Sequence, residues 1–197
     1  NMFTIEKTFT GDIAHRIHNQ NLDSEFTEGN SKILKCRRLH GHTYELKVKL
    51  GAEDLKDDMV LDYNEIGFMK TLIDDILDHR TLISDLDPLL EKVLFKVWDD
   101  YAKDKSGLQV LERSKWSTYK YNVSTFDLSS VEDQDIKEFL SAFVVINFTS
   151  SSENIAKWIF DVVQEKINEY NKRNDTSVEV VSVSYKETPK SEAIFLG

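Results

Sequence analysis

The chain has 197 residues, with 35 acidic against 25 basic side chains, a formal charge of −10 at pH 7, and a single cysteine; that length suits one well-buried domain with elaborations better than two separate ones. The negative balance with no concentrated basic patch argues against nucleic acid as a partner, a lone cysteine cannot close an intramolecular disulfide, and no apolar run approaches the roughly 20 residues that span a bilayer. The amino terminus shows no basic-then-apolar leader pattern, Asn1 ahead of Met2 reads as a remnant of expression, and a soluble, reducing, cytoplasmic setting is the expectation.

Phe3, Ile5 and Phe9 fall on one face of "MFTIEKTF" and Thr4, Glu6 and Thr8 on the other, with Lys7 the exception. That alternation predicts a half-buried strand. The polar run "HNQNLDSEFTEGNS" reads as a loop or long hairpin end. In "HTYELKVKL", Tyr44, Leu46, Val48 and Leu50 form an apolar face, and Thr43, Glu45, Lys47 and Lys49 a polar one. His40 and His42 share the parity of the apolar face, so a strand continuing through Gly41 brings both imidazoles out on the buried side. Asp62 with Glu65 resembles a capping box, and Ile66, Met69, Ile73, Ile76 and Leu77 then recur at helical spacing, giving a helix that ends near His79.

Residues 84–147 are mixed in composition: a helix over Pro88 to Tyr101, a polar turn near Lys105 to Gly107, strand-like "WSTYKYNVSTF", and further strand material at "AFVVINF". A long helix opens at "SSSEN", where Ser150 with Glu153 supplies a cap, and Ile155, Ile159, Val162, Val163, Ile167 and Tyr170 make its apolar stripe. The last strand, "VEVVSVSYKE", places Val181, Val183, Tyr185 and Glu187 on one face. A carboxylate extending an apolar row costs free energy unless something pairs with it. The order of elements predicts an α+β fold, not an alternating doubly wound one.

Neutral imidazole is a common zinc ligand, and two histidines at i and i+2 on a strand can grip one ion; the other reading of "HGH" is a turn with two surface imidazoles. A catalytic zinc takes three protein ligands, and His15 and His18 after the first strand are the candidates for the third. Cys36, between Lys35, Arg37 and Arg38, is either a small buried hydrophobe, a thiolate acting as acid or base, or a ligand that would use up the open coordination position. Asp78 beside His79 suits acid-base chemistry, or His79 simply complements a helix C-terminus.

Taken in order, these segments resemble the 6-pyruvoyltetrahydropterin and 6-carboxytetrahydropterin synthase family of the tunnelling fold. "FTGDIAHRI" is similar to the family's opening Phe-x-x-x-His motif, which assigns His15 as first zinc ligand. "KCRRLHGHTYEL" resembles its Cys-x-x-x-His-Gly-His motif, which assigns Cys36 as catalytic base and His40 and His42 as the other ligands. "MVLDYNEI" is similar to the segment before the first helix, and "LDHRTL" to the Asp-His step, which makes Asp78 and His79 the rest of a catalytic triad. "SSSENIAKWIFD", with Glu153, is similar to the opening of the second helix, and "YKETPKSEA" to the last strand, where a glutamate, here Glu187, anchors the pterin.

The resemblance implies a tunnelling fold, an antiparallel sheet with two helices on one face, in one domain over 1–197 with an atypical insertion at about 84–147. It implies zinc, 7,8-dihydroneopterin triphosphate as substrate, elimination of triphosphate without a redox cofactor, and a homohexamer of two stacked trimers. The carboxy branch also loses acetaldehyde and feeds queuosine synthesis, and "CRRLHGH" with "IAKWIFD" favours that branch over the pyruvoyl one. "ETPKSEA" departs from it in lacking a cysteine-containing stretch, as does the long insertion. The rival readings are a non-catalytic pterin-binding homologue and a three-histidine zinc hydrolase without pterin preference.

Overall fold

The computed structural model describes residues 1–23, 34–107 and 109–197. These fall into two compact units, one made of Asn1–Asp12, His42–Asp78 and Ser151–Gly197, the other of Ile13–Gly41 and His79–Ser150. Two strands, β1 (Phe3–His15) and β2 (His40–Ala52), contribute residues to both.

In the first unit the strand order is β1, β2, β7 (Glu179–Thr188) and β8 (Ser191–Leu196). Alternation decides which residues it buries: Tyr44, Leu46, Val48 and Leu50 are each no more than 1% exposed, and the odd-numbered row of β1 also turns inward. Lys7, the polar member of that row, donates to the Tyr63 carbonyl. β2 and β7 pair antiparallel with Leu46 opposite Tyr185 and Val48 opposite Val183. The register then slips, Lys49 facing Ser182 and Leu50 facing Val180, which leaves Val181 as a bulge. The core therefore takes Val178 and Val180 in place of Val181, which is only half-buried.

Helix α4 (Ser152–Asn174) packs on β7 and β8 and buries Ile155, Trp158, Ile159, Val162, Val163 and Ile167, the stripe expected from the sequence with Trp158 added and with Tyr170 only half-buried. Its N-cap is Ser151, not Ser150: the Ser151 hydroxyl accepts from the Asn154 amide at 3.3 Å. Ahead of α1 (Phe68–Leu72), Asp62 caps a short turn by accepting from the Asn64 amide at 2.8 Å, and Glu65 stays exposed instead of closing a capping box. Ile66, Met69, Ile73, Ile76 and Leu77 are all buried as expected. The helix widens into a π turn over Ile73–Leu77, closed by the Asp78 amide donating to the Ile73 carbonyl at 2.8 Å.

In the second unit the order is β4 (Leu111–Arg113), β5 (Val123–Phe126), β6 (Phe143–Ile146), β3 (Arg80–Ser84) and β1. The expected antiparallel pairing holds for β4 with β5 and β5 with β6, while β1 with β3 and β3 with β6 run parallel. Parallel neighbours need a crossover of a dozen or more residues, and the 84–147 stretch supplies the one between β3 and β6. That crossover folds on itself: Trp98 and Ala102 around α2 (Phe95–Tyr101) and Leu140 of α3 (Gln134–Ser141) pack with Ile83, Phe126, Phe143 and Val145. "WSTYKYNVSTF" is extended only over Val123–Phe126; a turn closed by the Thr118 amide on the Tyr121 carbonyl precedes it.

Candidate metal and acid-base site

β1 ends on His15, which is 3% exposed, because the inward row of the strand continues through Ile13. Its Nδ1 lies 2.8 Å from the Ser150 carbonyl oxygen. His40 opens β2 with Nδ1 2.7 Å from the Arg38 carbonyl oxygen, and the two rings stand 4.6 Å apart at 54°. A carbonyl only accepts, so each Nδ1 donates, and in the neutral ring this leaves the lone pair on Nε2. Metal-binding histidines are oriented in this way by their outer neighbours.

Two residues along β2, on the same face, comes His42, whose Nε2 is 3.2 Å from the Glu187 carboxylate. Between β7 and β8 the register passes from Lys186 opposite Glu192 to Thr188 opposite Ser191, so Glu187 is itself a bulged residue. Bulges re-aim side chains beside functional sites. The second Glu187 oxygen accepts from the Ser152 hydroxyl at 3.2 Å, at the first turn of α4. The imidazoles of His15 and His40 in one unit, and the imidazole and carboxylate of His42 and Glu187 in the other, are donor types that suit zinc better than magnesium or calcium.

The π turn delivers Asp78 and His79. Asp78 Oδ1 accepts from the Asp12 amide at 3.2 Å, and the Asp12 carboxylate accepts from the Thr43 hydroxyl at 2.5 Å. His79 is exposed and has φ 56°, a left-handed conformation that a non-glycine residue holds only at a cost. The Tyr44 hydroxyl is buried without a hydrogen-bond partner among the described residues. Burial first, then the carboxylates of Asp78, Asp12 and Asp74, push its pKa well above the usual tyrosine value. Its ring stacks on Tyr185 at 5.4 Å and 26°. Four residues before His15 stands Gly11, and a Cβ there would lie 2.6 Å from the Tyr44 oxygen and 3.2 Å from Asp78 Oδ1.

Cys36 is half-buried on a short 3-10 turn, Lys35–Arg37, whose carbonyl at Cys36 accepts from the Ile17 amide at 2.7 Å. The Gln20 side chain accepts from the Cys36 amide at 3.0 Å, so the Cys36 main chain is tied to the segment that follows His15. His18, in that same segment, is half-buried and makes no hydrogen bond through Nδ1 among the described residues. Glu153 stands exposed on α4; it is the neighbouring Ser152 that touches Glu187. Sequence reasoning passed over Ser152, Asp12 and Tyr44. Only Tyr44 left a signal, by sharing the strand parity of His40 and His42.

The family model described as 6-pyruvoyl tetrahydropterin synthase matches residues 4–197. The 6-carboxy-5,6,7,8-tetrahydropterin synthase of Aquifex aeolicus is 26% identical over 195 residues, covering 96% of this chain and 94% of that one. Among solved structures, an uncharacterized protein of Wolinella succinogenes superposes with TM-score 0.84 at 30% identity, over 100% of this chain and 99% of that one. The 6-pyruvoyl tetrahydropterin synthase of Caenorhabditis elegans shares the fold at TM-score 0.52 and 22% identity, over 100% and 96%. A match running from β1 to the chain's last residue takes in every strand and helix that carries the side chains above: the chain belongs to the 6-pyruvoyl tetrahydropterin synthase family and is an enzyme, a lyase of the tetrahydropterin synthase type.

Proposed function

We propose that the chain is a zinc-dependent carbon-oxygen lyase converting 7,8-dihydroneopterin triphosphate to 6-carboxy-5,6,7,8-tetrahydropterin, with loss of triphosphate and acetaldehyde, for queuosine and related 7-deazapurine synthesis. The observation that carries this reading is the paired orientation of His15 and His40, each with Nδ1 on a main-chain carbonyl. The similarity to the Aquifex aeolicus enzyme, over nearly the full length of both chains, favours the carboxy product over the pyruvoyl one. The reading treats 1–197 as one synthase domain in which the stretch at about 84–147 is an insertion.

In this reading His15, His40 and His42 hold the zinc through Nε2. Bound there, zinc supplies a Lewis acid that stabilises negative charge developing on the substrate's side-chain oxygens. Cys36 takes a proton from the side chain, and His79, oriented by Asp78, returns one. Asp78 is kept in place by the Asp12 amide. Glu187 accepts the paired N–H donors of the pterin's amidine edge, a charge-assisted contact that specifies the ring, and the Ser152 hydroxyl on its second oxygen fixes the carboxylate's rotation. Glu153, exposed one residue further along α4, would contact substrate only at the rim.

The test is incubation of the full chain with 7,8-dihydroneopterin triphosphate, with mass spectrometry of the pterin product and an assay for acetaldehyde. A carboxy product with acetaldehyde is expected, and Cys36→Ala should abolish it. Formation of neither the carboxy nor the pyruvoyl product would overturn the reading in favour of a non-catalytic homologue.

A second reading is favoured by one contact, the Glu187 carboxylate 3.2 Å from His42 Nε2, the nitrogen assigned to the metal. In it Glu187 is a fourth zinc ligand. Glu187→Gln separates the two: an anchor loses substrate affinity and keeps zinc, whereas a ligand loses zinc affinity. The proposal also includes a cytoplasmic homohexamer of two stacked trimers, supported by the last strand β8, where Ile194 and Leu196 are 58% and 70% exposed. Light scattering at several concentrations checks it. No helix among the described residues is long and apolar enough to cross a membrane.

A further inference from the structure

We propose that Asp87, at the start of the crossover between β3 and β6, is a positioning residue for His15, acting through Arg16. The inference rests on the reading of His15 as a metal ligand. Asp87 is 2% exposed and its side chain is fully buried. One of its oxygens is 2.6 Å from Nε of Arg16, the residue that follows His15, and the other accepts from the Leu89 amide at 2.9 Å. The carboxylate is thus satisfied on both oxygens, and the cation it holds is the side chain of the residue next to the proposed ligand.

Further restraints on His15 come from its own unit. Ile13, Ala14 and His15 pair in parallel with Arg80, Thr81 and Leu82 of β3, and the Ser150 carbonyl receives the ring proton. The paired residues end at His15, so beyond it the sheet no longer fixes the backbone. From Arg16 onward the chain is held by the Asp87 pair and by the Ile17 amide on the Cys36 carbonyl. A metal ligand must be fixed within a fraction of an ångström, and a ring at the end of a strand meets that demand only if the residue after it is held too. A buried carboxylate that accepts from a guanidinium Nε on one oxygen and from a main-chain amide on the other is a directional clamp, unlike a surface ion pair. Asp87 thereby gives the crossover a task at the metal, in addition to closing a parallel sheet.

The experiment measures zinc affinity of the full chain by chelator competition, and the visible spectrum of the cobalt-substituted protein, for wild type, Asp87→Asn, Arg16→Lys and Leu140→Val. Asp87→Asn retains the shape but not the charge; Arg16→Lys retains the charge but not the Nε–H donor, and serves if the first variant does not fold. Leu140→Val destabilises the same unit away from His15, since Leu140 is fully buried in its core. The expected result is a roughly 10- to 100-fold loss of zinc affinity and an altered cobalt spectrum for the Asp87 and Arg16 variants, with Leu140→Val unchanged in both despite a lower Tm. Wild-type affinity in Asp87→Asn and Arg16→Lys overturns the proposal, as does equal weakening by Leu140→Val. A His15→Ala protein that binds zinc like wild type overturns the ligand assignment itself and the proposal with it, an outcome distinct from the others.

Discussion

Gly11→Ala adds one methyl group at a confined point of the first unit. The new carbon would lie 2.6 Å from the Tyr44 oxygen, 2.9 Å from its Cζ and 3.2 Å from Asp78 Oδ1. All three are closer than an ordinary contact between non-bonded heavy atoms, about 3.5–4.0 Å. Tyr44 cannot retreat, because it is 1% exposed and its ring lies against Tyr185 at 5.4 Å. The strand or the carboxylate must move instead. Overpacking of this kind costs about 1–3 kcal/mol. At about 2 kcal/mol, a chain of this length loses roughly 4–8 °C in Tm. Displacement of Asp78 should also lower kcat, since catalytic groups tolerate little misplacement. Adding Tyr44→Phe removes the overlap at the oxygen but not at Cζ, so the double variant should recover part of the Tm and not all. Differential scanning calorimetry and steady-state kinetics read both effects. A Gly11→Ala protein with wild-type Tm and kcat would refute the reasoning, because it would mean that Tyr44 and Asp78 are not confined by the absent side chain.

Two further outcomes follow from the same region. His79 sits at φ 56°, where glycine is at ease and alanine is not; His79→Gly should be about 1 kcal/mol more stable than His79→Ala by urea midpoint, with both variants lacking turnover. Equal midpoints would show that the left-handed backbone stores no strain. Tyr185 is held neutral by burial, then by Glu187 and Tyr44, which raise its pKa far above the unfolded value of about 10. Its contribution to stability is therefore complete below pH 10 and declines above it, as the unfolded chain releases a proton that the folded chain retains, by up to about 1.4 kcal/mol per pH unit. Tyr185→Phe should show a shallower loss of urea midpoint between pH 9 and 11, and an unchanged slope would rule out this linkage.

The faces of the strands were legible because burial repeats along a regular strand with period two. Leu46, Val48 and Leu50 lie in the core as that alternation requires, and the helical spacing of Ile66, Met69, Ile73 and Leu77 was kept even where α1 opens into a π turn. Periodicity fails where one residue is inserted. Val181 is such a place: its bulge moves the apolar row onto Val180, and nothing in "VEVVSVSYKE" distinguishes two adjacent valines in advance. The parallel run of β1, β3 and β6 was equally hidden, because pairing direction is set by the long crossover and not by the strands' own residues. "WSTYKYNVSTF" looked extended throughout since aromatic and β-branched residues favour strands, yet the Tyr121 amide on the Thr118 hydroxyl and the Thr118 amide on the Tyr121 carbonyl close part of it into a turn.

At the candidate site, the residues proposed as ligands and acid-base groups could be named from the sequence, and the residues that hold them could not. His40 and His42 could be placed from parity alone, and Glu187 stood out as a carboxylate in an apolar row. What aims these groups is irregular backbone: a bulge at Glu187, a π turn before Asp78, a left-handed residue at His79, and a strand end at His15. Each irregularity makes sequence spacing a poor guide to direction, and those at Glu187, Asp78 and His15 are held by interactions from far along the chain. Ser152 reaches Glu187 across 35 positions, Asp12 reaches Asp78 across 66, Asp87 reaches Arg16 across 71 and Ser150 reaches His15 across 135. A local pattern cannot report such partners. They bear on function because an off-pattern backbone keeps its shape only while surrounding contacts hold it, so loss of Asp87 or Ser152 should be felt first in the aim of a neighbouring ligand or carboxylate and only second in stability.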